Sequence, residues 1–188
     1  VVVNLATGSI GETGARLTGA LVLAHVRAAA MARARISIGE RRPFHVIVDE
    51  AHSFGPASFA RLLSEIRQFR LSIAMSTQFL DGLTDSTRAA LLGNAKTLAV
   101  FRCNPGDVAI LSRSFDRLHQ EFNATALLEL DDGEAVIAAA GRDAARVSIP
   151  APQPVNSADT VKRQSRRHYG VARRVVEDKL RRALGYQS

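Results

Sequence analysis

Cysteine is nearly missing from this chain of 188 residues: Cys103 stands alone. One cysteine excludes an internal disulfide and suits a reducing compartment. Tryptophan is absent and aromatic residues make up only 5%, so the 46% of hydrophobic residues is mostly aliphatic, enough for a core. No apolar run approaches the roughly 18 to 20 residues that a membrane-spanning helix needs. The opening VVVNLATGSIGE has neither a basic n-region nor a small-residue cleavage site, so it does not read as a signal peptide. It reads as a strand with no leader before it, as though cut from a longer protein. These absences together predict a cytoplasmic protein, with the inner face of a membrane as the alternative address for a full-length form.

Charge of one sign is scarce over most of the chain and abundant at its end. From Ala158 onward there are nine Lys and Arg (Lys162, Arg163, Arg166, Arg167, Arg173, Arg174, Lys179, Arg181, Arg182) against Asp159, Glu177 and Asp178, a surplus of six. The formal charge of the whole chain is +7, so the preceding 157 residues carry only +1. A nearly neutral body thus carries a basic appendage. Ala151–Ser157 (APQPVNS) has two prolines and no periodicity and predicts a linker, dividing the chain into residues 1–150, 151–157 and 158–188.

Strand and helix patterns alternate through the body. Val1–Leu5 is a short β-branched run, followed by a Gly-rich turn and a helical pattern from about Thr13 to Arg35. Phe44–Val48 (FHVIV) is a continuous apolar run, as in a buried parallel strand covered on both faces. Phe59, Leu62, Leu63, Ile66 and Phe69 recur at helical spacing, and Leu71–Met75 (LSIAM) is the next strand. A helix over Ser86–Leu92, a strand over Thr97–Arg102 and a helix over Asp107–Phe115 follow. Two more strands are expected at Glu134–Ala140 and Arg146–Ile149, then helical sequence from Val161 to Leu184 interrupted at Gly170. Such alternation predicts an α/β layered fold with a mostly parallel sheet.

The strongest chemical signal is Val46-Ile47-Val48-Asp49-Glu50, an apolar strand that delivers two carboxylates at its C-terminal end. Ligands of open α/β sheets collect at such ends. An Asp there can hold Mg²⁺ through its water shell, since Mg²⁺ takes oxygen ligands and keeps several waters. The neighbouring Glu can polarise the water that attacks a γ-phosphate. The plain alternative is a strand ending in two solvated acids. One strand later, Ser76-Thr77-Gln78 places polar side chains where they can sense a γ-phosphate or orient water; the alternative is a helix cap by Ser76 or Thr77. Arg67, between these two strands, can reach a phosphate across a subunit interface, or simply pair with Glu65 on the surface.

Other patterns exclude more than they suggest. His52 completes the letters DEAH, but four letters do not make a helicase, and a satisfied loop histidine accounts for it. Gly8, Gly11 and Gly14 do not form a dinucleotide fingerprint, and no G-x-x-x-x-G-K-[ST] loop occurs anywhere. The five histidines and one cysteine never fall at metal-ligand spacing. The basic tail can lie along phosphates, giving salt-dependent affinity without sequence preference. Alternatively it packs Val171, Val175, Val176 and Leu180 onto the body.

Four stretches taken in order resemble the hexameric RecA-like DNA-pumping ATPases of the HerA/FtsK superfamily, and among them the TraG/TraD-type coupling ATPases of conjugation and type IV secretion. Val1–Glu12 with Ala15-Arg16-Leu17 resembles the strand and turn before that family's long helix. Arg42–Phe54 (RPFHVIVDEAHSF) resembles its Walker B segment. Phe59–Phe79 (FARLLSEIRQFRLSIAMSTQF) resembles its helix and sensor strand, and Gly93–Arg102 with Asp107 the next strand and helix. Ser165–Val175 (SRRHYGVARRV) resembles its basic ending. The resemblance implies a partial P-loop NTPase core that uses ATP and Mg²⁺. Asp49 would hold the Mg²⁺, Glu50 would be the catalytic carboxylate and Gln78 the γ-phosphate sensor. Arg67 would be the arginine finger and Arg102 a further contact to a neighbouring nucleotide. It implies DNA, held by its backbone, and a hexameric homo-oligomeric ring as partners, with membrane or secretion-system partners through an N-terminal region. The Walker A loop and lysine belong N-terminal to Val1, so the chain alone is expected not to hydrolyse ATP.

Three rivals remain. A HerA-like repair helicase-translocase would use the same residues and would differ in its N-terminal region. A degenerate RecA-like adaptor would bind a partner or DNA without hydrolysis, against which the intact Asp49, Glu50 and Gln78 stand. A flavodoxin-like or receiver domain needs acids at the end of its first strand, and Val1–Thr7 offers none.

Overall fold

The structure is a computed structural model that describes residues 1–53, 63, 65–117, 124–153 and 157–185. Its contacts divide the chain into two units, Leu5–Pro150 and Val1–Asn4 with Ala151–Ser188.

The larger unit begins with helix α1, Thr7–Ala32, interrupted at Gly11, where φ is +71°. Only glycine adopts that conformation at little cost, so the Gly-rich opening becomes a kink within a helix. Beyond it Ala15, Gly19, Leu23 and Ala30 turn inward, at the three- and four-residue spacing that puts side chains on one helix face. Strand β1, Phe44–Val48, pairs in parallel with β2, Leu71–Met75, in the register Phe44 to Leu71 through Val48 to Met75. Helix α2, Asp85–Asn94, is capped by the Thr84 hydroxyl, which accepts from the Thr87 amide at 3.4 Å. Strand β3, Thr97–Phe101, leads to helix α3, Pro105–Arg117. At the start of α3 the Asn104 carbonyl oxygen accepts from the Asp107 amide at 2.9 Å, and its side-chain NH₂ donates back to the Asp107 carboxylate at 3.0 Å, a reciprocal cap. Strands β4, Glu134–Ala139, and β5, Arg142–Ser148, complete this unit. In the smaller unit, α4 spans Ala158–Tyr169 and α5 spans Arg173–Ala183.

The α/β layering expected from the sequence is present, with its parallel pairing confined, among the described strands, to β1 and β2. Strands β3, β4 and β5 form a separate antiparallel sheet in that order. The reason is local. Ala139 pairs with Arg142, leaving Ala140-Gly141 to turn the chain, and Gly141 has φ +76°. A loop of two residues can only join antiparallel strands, since a parallel connection needs a dozen or more. Val1–Leu5 is not a strand, contrary to the sequence expectation. A β-branched run extends into a strand only where a ladder receives it, and Val1 and Val2 are 97% and 71% exposed.

Two apolar clusters hold the larger unit. Leu23 and Ala30 of α1 pack with Val48, Ala51, Phe69 and Leu71 under one face of β1 and β2. The other face, His45, Ile47, Ser72 and Ala74, is exposed, so among the described residues β1 is covered on one side and not on two as its sequence suggests. The second cluster gathers Leu98, Val100, Val136 and Ala138 of the antiparallel sheet with Leu111 and Phe115 of α3, Leu127 and Leu130. The helix expected over Phe59–Phe69 falls partly outside the described residues. Leu63 and Glu65 are helical, and Ile66–Phe69 forms a 3₁₀ turn.

One ion pair gives the antiparallel sheet a pH dependence. The Arg146 guanidinium on β5 donates to Glu134 on β4, and the Asp131 amide adds a third donor. The Arg146 hydrogen bonds, then that amide, hold the Glu134 carboxyl below its ordinary range. A carboxyl depressed in the folded state contributes stability above its unfolded value, and loses it as pH falls through the folded one. Thermal melts between about pH 5 and about pH 3 should therefore show a steeper loss for the wild type than for Glu134→Gln.

Candidate nucleotide site at the ends of the parallel strands

The parallel pairing of β1 and β2 runs on past both strand ends. The Ser76 amide donates to the Val48 carbonyl at 3.0 Å, and the Ala51 amide to the Ser76 carbonyl at 2.9 Å. Two backbone bonds thus fasten the segment carrying Asp49 and Glu50 beside the segment carrying Ser76, Thr77 and Gln78. The chain turns sharply there, with Glu50 at φ +53°. That left-handed conformation is uncommon for any residue with a side chain, and such strain concentrates at functional sites.

The side chains then converge. Oδ1 of Asp49 accepts from the Ser76 hydroxyl and from the Glu50 amide, the latter at 3.1 Å, and neither donor reaches Oδ2. Gln78 Nε2 donates to Glu50 Oε1 at 2.6 Å. His52 Nε2 lies 3.3 Å from Glu50 Oε2. Thr77 Oγ1 donates to the Phe79 carbonyl at 2.9 Å and faces His52 Nδ1 at 3.4 Å. Asp49 is exposed and Glu50 half-buried, so an acid pair stands at the surface, fixed by donors from the neighbouring strand end. These are hard oxygen donors and carry no soft ligand, which suits Mg²⁺ bound through water. Among the described residues no three His, Cys, Asp or Glu gather to cage a metal directly.

The structure therefore brings Asp49, Glu50 and Gln78 together and does not bring Arg102 to them. Arg102 lies just past β3, in the antiparallel sheet, where its guanidinium donates to Asp132 at 2.6 Å and to the Leu130 carbonyl at 3.3 Å. Arg67 sits in the 3₁₀ turn Ile66–Phe69, and its side chain lies outside the described residues. Glu65, the surface partner that the sequence suggests for it, holds Arg27 of α1 at 2.9 and 3.1 Å. Ser76, weighed from sequence with Thr77 and Gln78 as a polar group at the strand end, meets Asp49. His52, read from sequence as a satisfied loop histidine, is the addition, and its signal was its position two residues beyond Glu50.

The chain matches no family model and no curated protein. Solved structures do share its fold. The bacterial conjugative coupling protein TrwB, in a trigonal form with sulphate, is 22% identical, with a TM-score of 0.55 over 72% of this chain and 38% of that one. The plasmid coupling protein TrwB in complex with the non-hydrolysable GTP analogue GDPNP is 23% identical, with a TM-score of 0.52 over the same shares. VirB4 of Thermoanaerobacter pseudethanolicus is similar at 19% identity, with a TM-score of 0.49 over 61% of this chain and 33% of that chain. The chain spans little more than a third of these proteins, and what it shares with TrwB is the fold.

Proposed function

We propose that this chain carries the metal-holding and water-activating half of an ATP site in a ring-forming motor that drives DNA through conjugative transfer or type IV secretion. The observation that carries the reading is the convergence of Asp49, Glu50, Ser76 and Gln78 at the carboxyl ends of two parallel strands, fastened there by backbone bonds. That is where open α/β sheets bind ligands. One structure of TrwB, whose fold this chain shares, holds a GTP analogue, which supports a nucleotide as the kind of ligand.

In this reading β1 and the residues after it form a Walker B segment. Asp49, with Ser76 beside it, would hold Mg²⁺ through water. A bound Mg²⁺ supplies positive charge against the charge that builds on the phosphates. Glu50 takes the proton of the attacking water through Oε1 once the Gln78 amide has left it. Gln78, released, donates to the γ-phosphate and so reports its presence to Glu50. Arg67 completes the site from a neighbouring copy in a hexameric ring, and the phosphate-binding loop comes from a part of the protein that this sequence does not contain. Residues 1–150 form the ATPase part and 151–157 the linker. Helices α4 and α5, whose Lys and Arg outnumber their acids, bind the DNA backbone by charge, with the strong salt dependence such contacts have.

The test is ATP turnover by the full gene product, with and without Mg²⁺ and double-stranded DNA. Turnover that requires Mg²⁺ and rises with DNA is the expected result. Nucleotide or DNA binding without turnover under any of these conditions would replace the motor with a non-hydrolysing adaptor.

A further inference from the structure

Both ring nitrogens of His52 face groups of the site. Its Nε2 faces Glu50 Oε2 at 3.3 Å and its Nδ1 faces Thr77 Oγ1 at 3.4 Å. A Cβ at Gly82 would stand 2.9 Å from His52 Cβ and 3.4 Å from its Cγ, so the turn that carries His52 passes too close to position 82 for any side chain there. The ring lies in the 3₁₀ turn Ala51–Ser53, whose first residue, Ala51, is 1% exposed and bonded to Ser76.

Glu50 is thus held by two partners, Gln78 on Oε1 and His52 on Oε2. The two are not equivalent. Gln78 is exposed and mounted on the segment after β2, free to turn towards another acceptor. His52 is confined between Thr77 and Gly82 on the same turn as Glu50. We propose that His52 is a positioning residue for the reaction: it donates Nε2–H to Glu50 Oε2 and holds the carboxylate in its strained place when Gln78 turns to the γ-phosphate, leaving Oε1 open to the water. This rests on the reading of Glu50 as the water-activating group. His52 itself touches neither nucleotide nor water in this scheme.

The alternative is a histidine that only braces the loop, and the two differ in what they disturb. In the full gene product, His52→Ala should lower kcat for ATP about 10- to 100-fold, the range set by a lost hydrogen bond to a charged group, with KM changed about twofold or less. His52→Gln, which keeps an NH₂ donor, should recover most of the rate. In a Glu50→Gln background His52→Ala should add no further loss, because residues that act through one another are not additive. Without nucleotide, the Nε2–H proton of His52 should be visible by NMR and slow to exchange, and Glu50→Ala should abolish that protection.

Full kcat in His52→Ala, or an equal loss in the Glu50→Gln background, would overturn the proposal. So would an Nε2–H that exchanges at the same rate with and without Glu50. If the gene product does not turn over ATP at all, the motor reading fails, and the exchange measurement still decides whether His52 holds Glu50.

Discussion

Replacing Glu50 by glutamine is expected to lower kcat for ATP hydrolysis in the full gene product by about 10² to 10⁴-fold, the usual contribution of a positioned general base. Nucleotide binding should survive. The substitution is isosteric, and a glutamine at position 50 keeps an oxygen to accept from Gln78, which now donates to Oε1 at 2.6 Å. The group facing His52 becomes an NH₂ that cannot accept from its Nε2–H, while the backbone bonds that fasten the turn beside Ser76 remain. What is lost is the capacity to take a proton. Steady-state turnover measured beside equilibrium binding of a fluorescent nucleotide separates the two effects. Loss of both together would mean that Glu50 holds the structure and not the water. Retention of turnover would remove the acid pair from the chemistry.

The second large effect concerns stability. Phe115→Ala should destabilise the larger unit by about 3–5 kcal/mol, the range for deleting a buried aromatic side chain. Phe115 is 1% exposed, and it shares its cluster with Leu111, Leu98, Val100, Leu127, Leu130 and Val136. Close-packed neighbours on α3, on strands β3 and β4 and in the turn at Ala124–Leu128 cannot all move in to fill the space. Domains are stable by only about 5–15 kcal/mol in total, so the loss should appear as a lower denaturant midpoint with an unchanged slope. A change below about 1 kcal/mol would show that the site collapses freely and that this cluster is not the core.

The parts of the fold that could be read in advance are those whose signal is local. FHVIV and LSIAM begin and end as strands where the sequence suggests, because each apolar run stops at polar or acidic residues that cannot stay under a helix. The helices expected over Ser86–Leu92 and Asp107–Phe115 are present as Asp85–Asn94 and Pro105–Arg117, the extra residues at their starts lying next to the capping side chains Thr84 and Asn104. What depends on partners could not be read. Val1–Leu5 has strand composition without a neighbour to pair with, and the alternation Leu98, Val100 says nothing of whether the next strand runs parallel or antiparallel. The one-sided burial of β1 is likewise a matter of what lies across the sheet, which Ile47, 83% exposed, lacks among the described residues. At the site, the carboxylates and Gln78 were legible from their place at strand ends. His52 was not, since what it meets depends on Thr77, 25 residues away in sequence, and on a turn at Glu50 that no residue type signals. Arg102 was expected to face a neighbouring nucleotide; within this chain its guanidinium meets Asp132, a partner that a basic residue after a strand does not announce.

The uneven covering of the two sheets has a thermodynamic consequence. The acid pair rides on a two-stranded sheet that among the described residues is roofed on one side only, whereas the larger buried cluster lies under the other sheet. Segments with little buried apolar surface open at a lower free energy than the rest of a domain. A ligand that settles on the closed form alone adds to the cost of opening in proportion to its occupancy, about 2.7 kcal/mol at a hundred times its dissociation constant. Whatever binds at these strand ends therefore acts as one more structural member of the sheet, and its departure loosens the strands that held it.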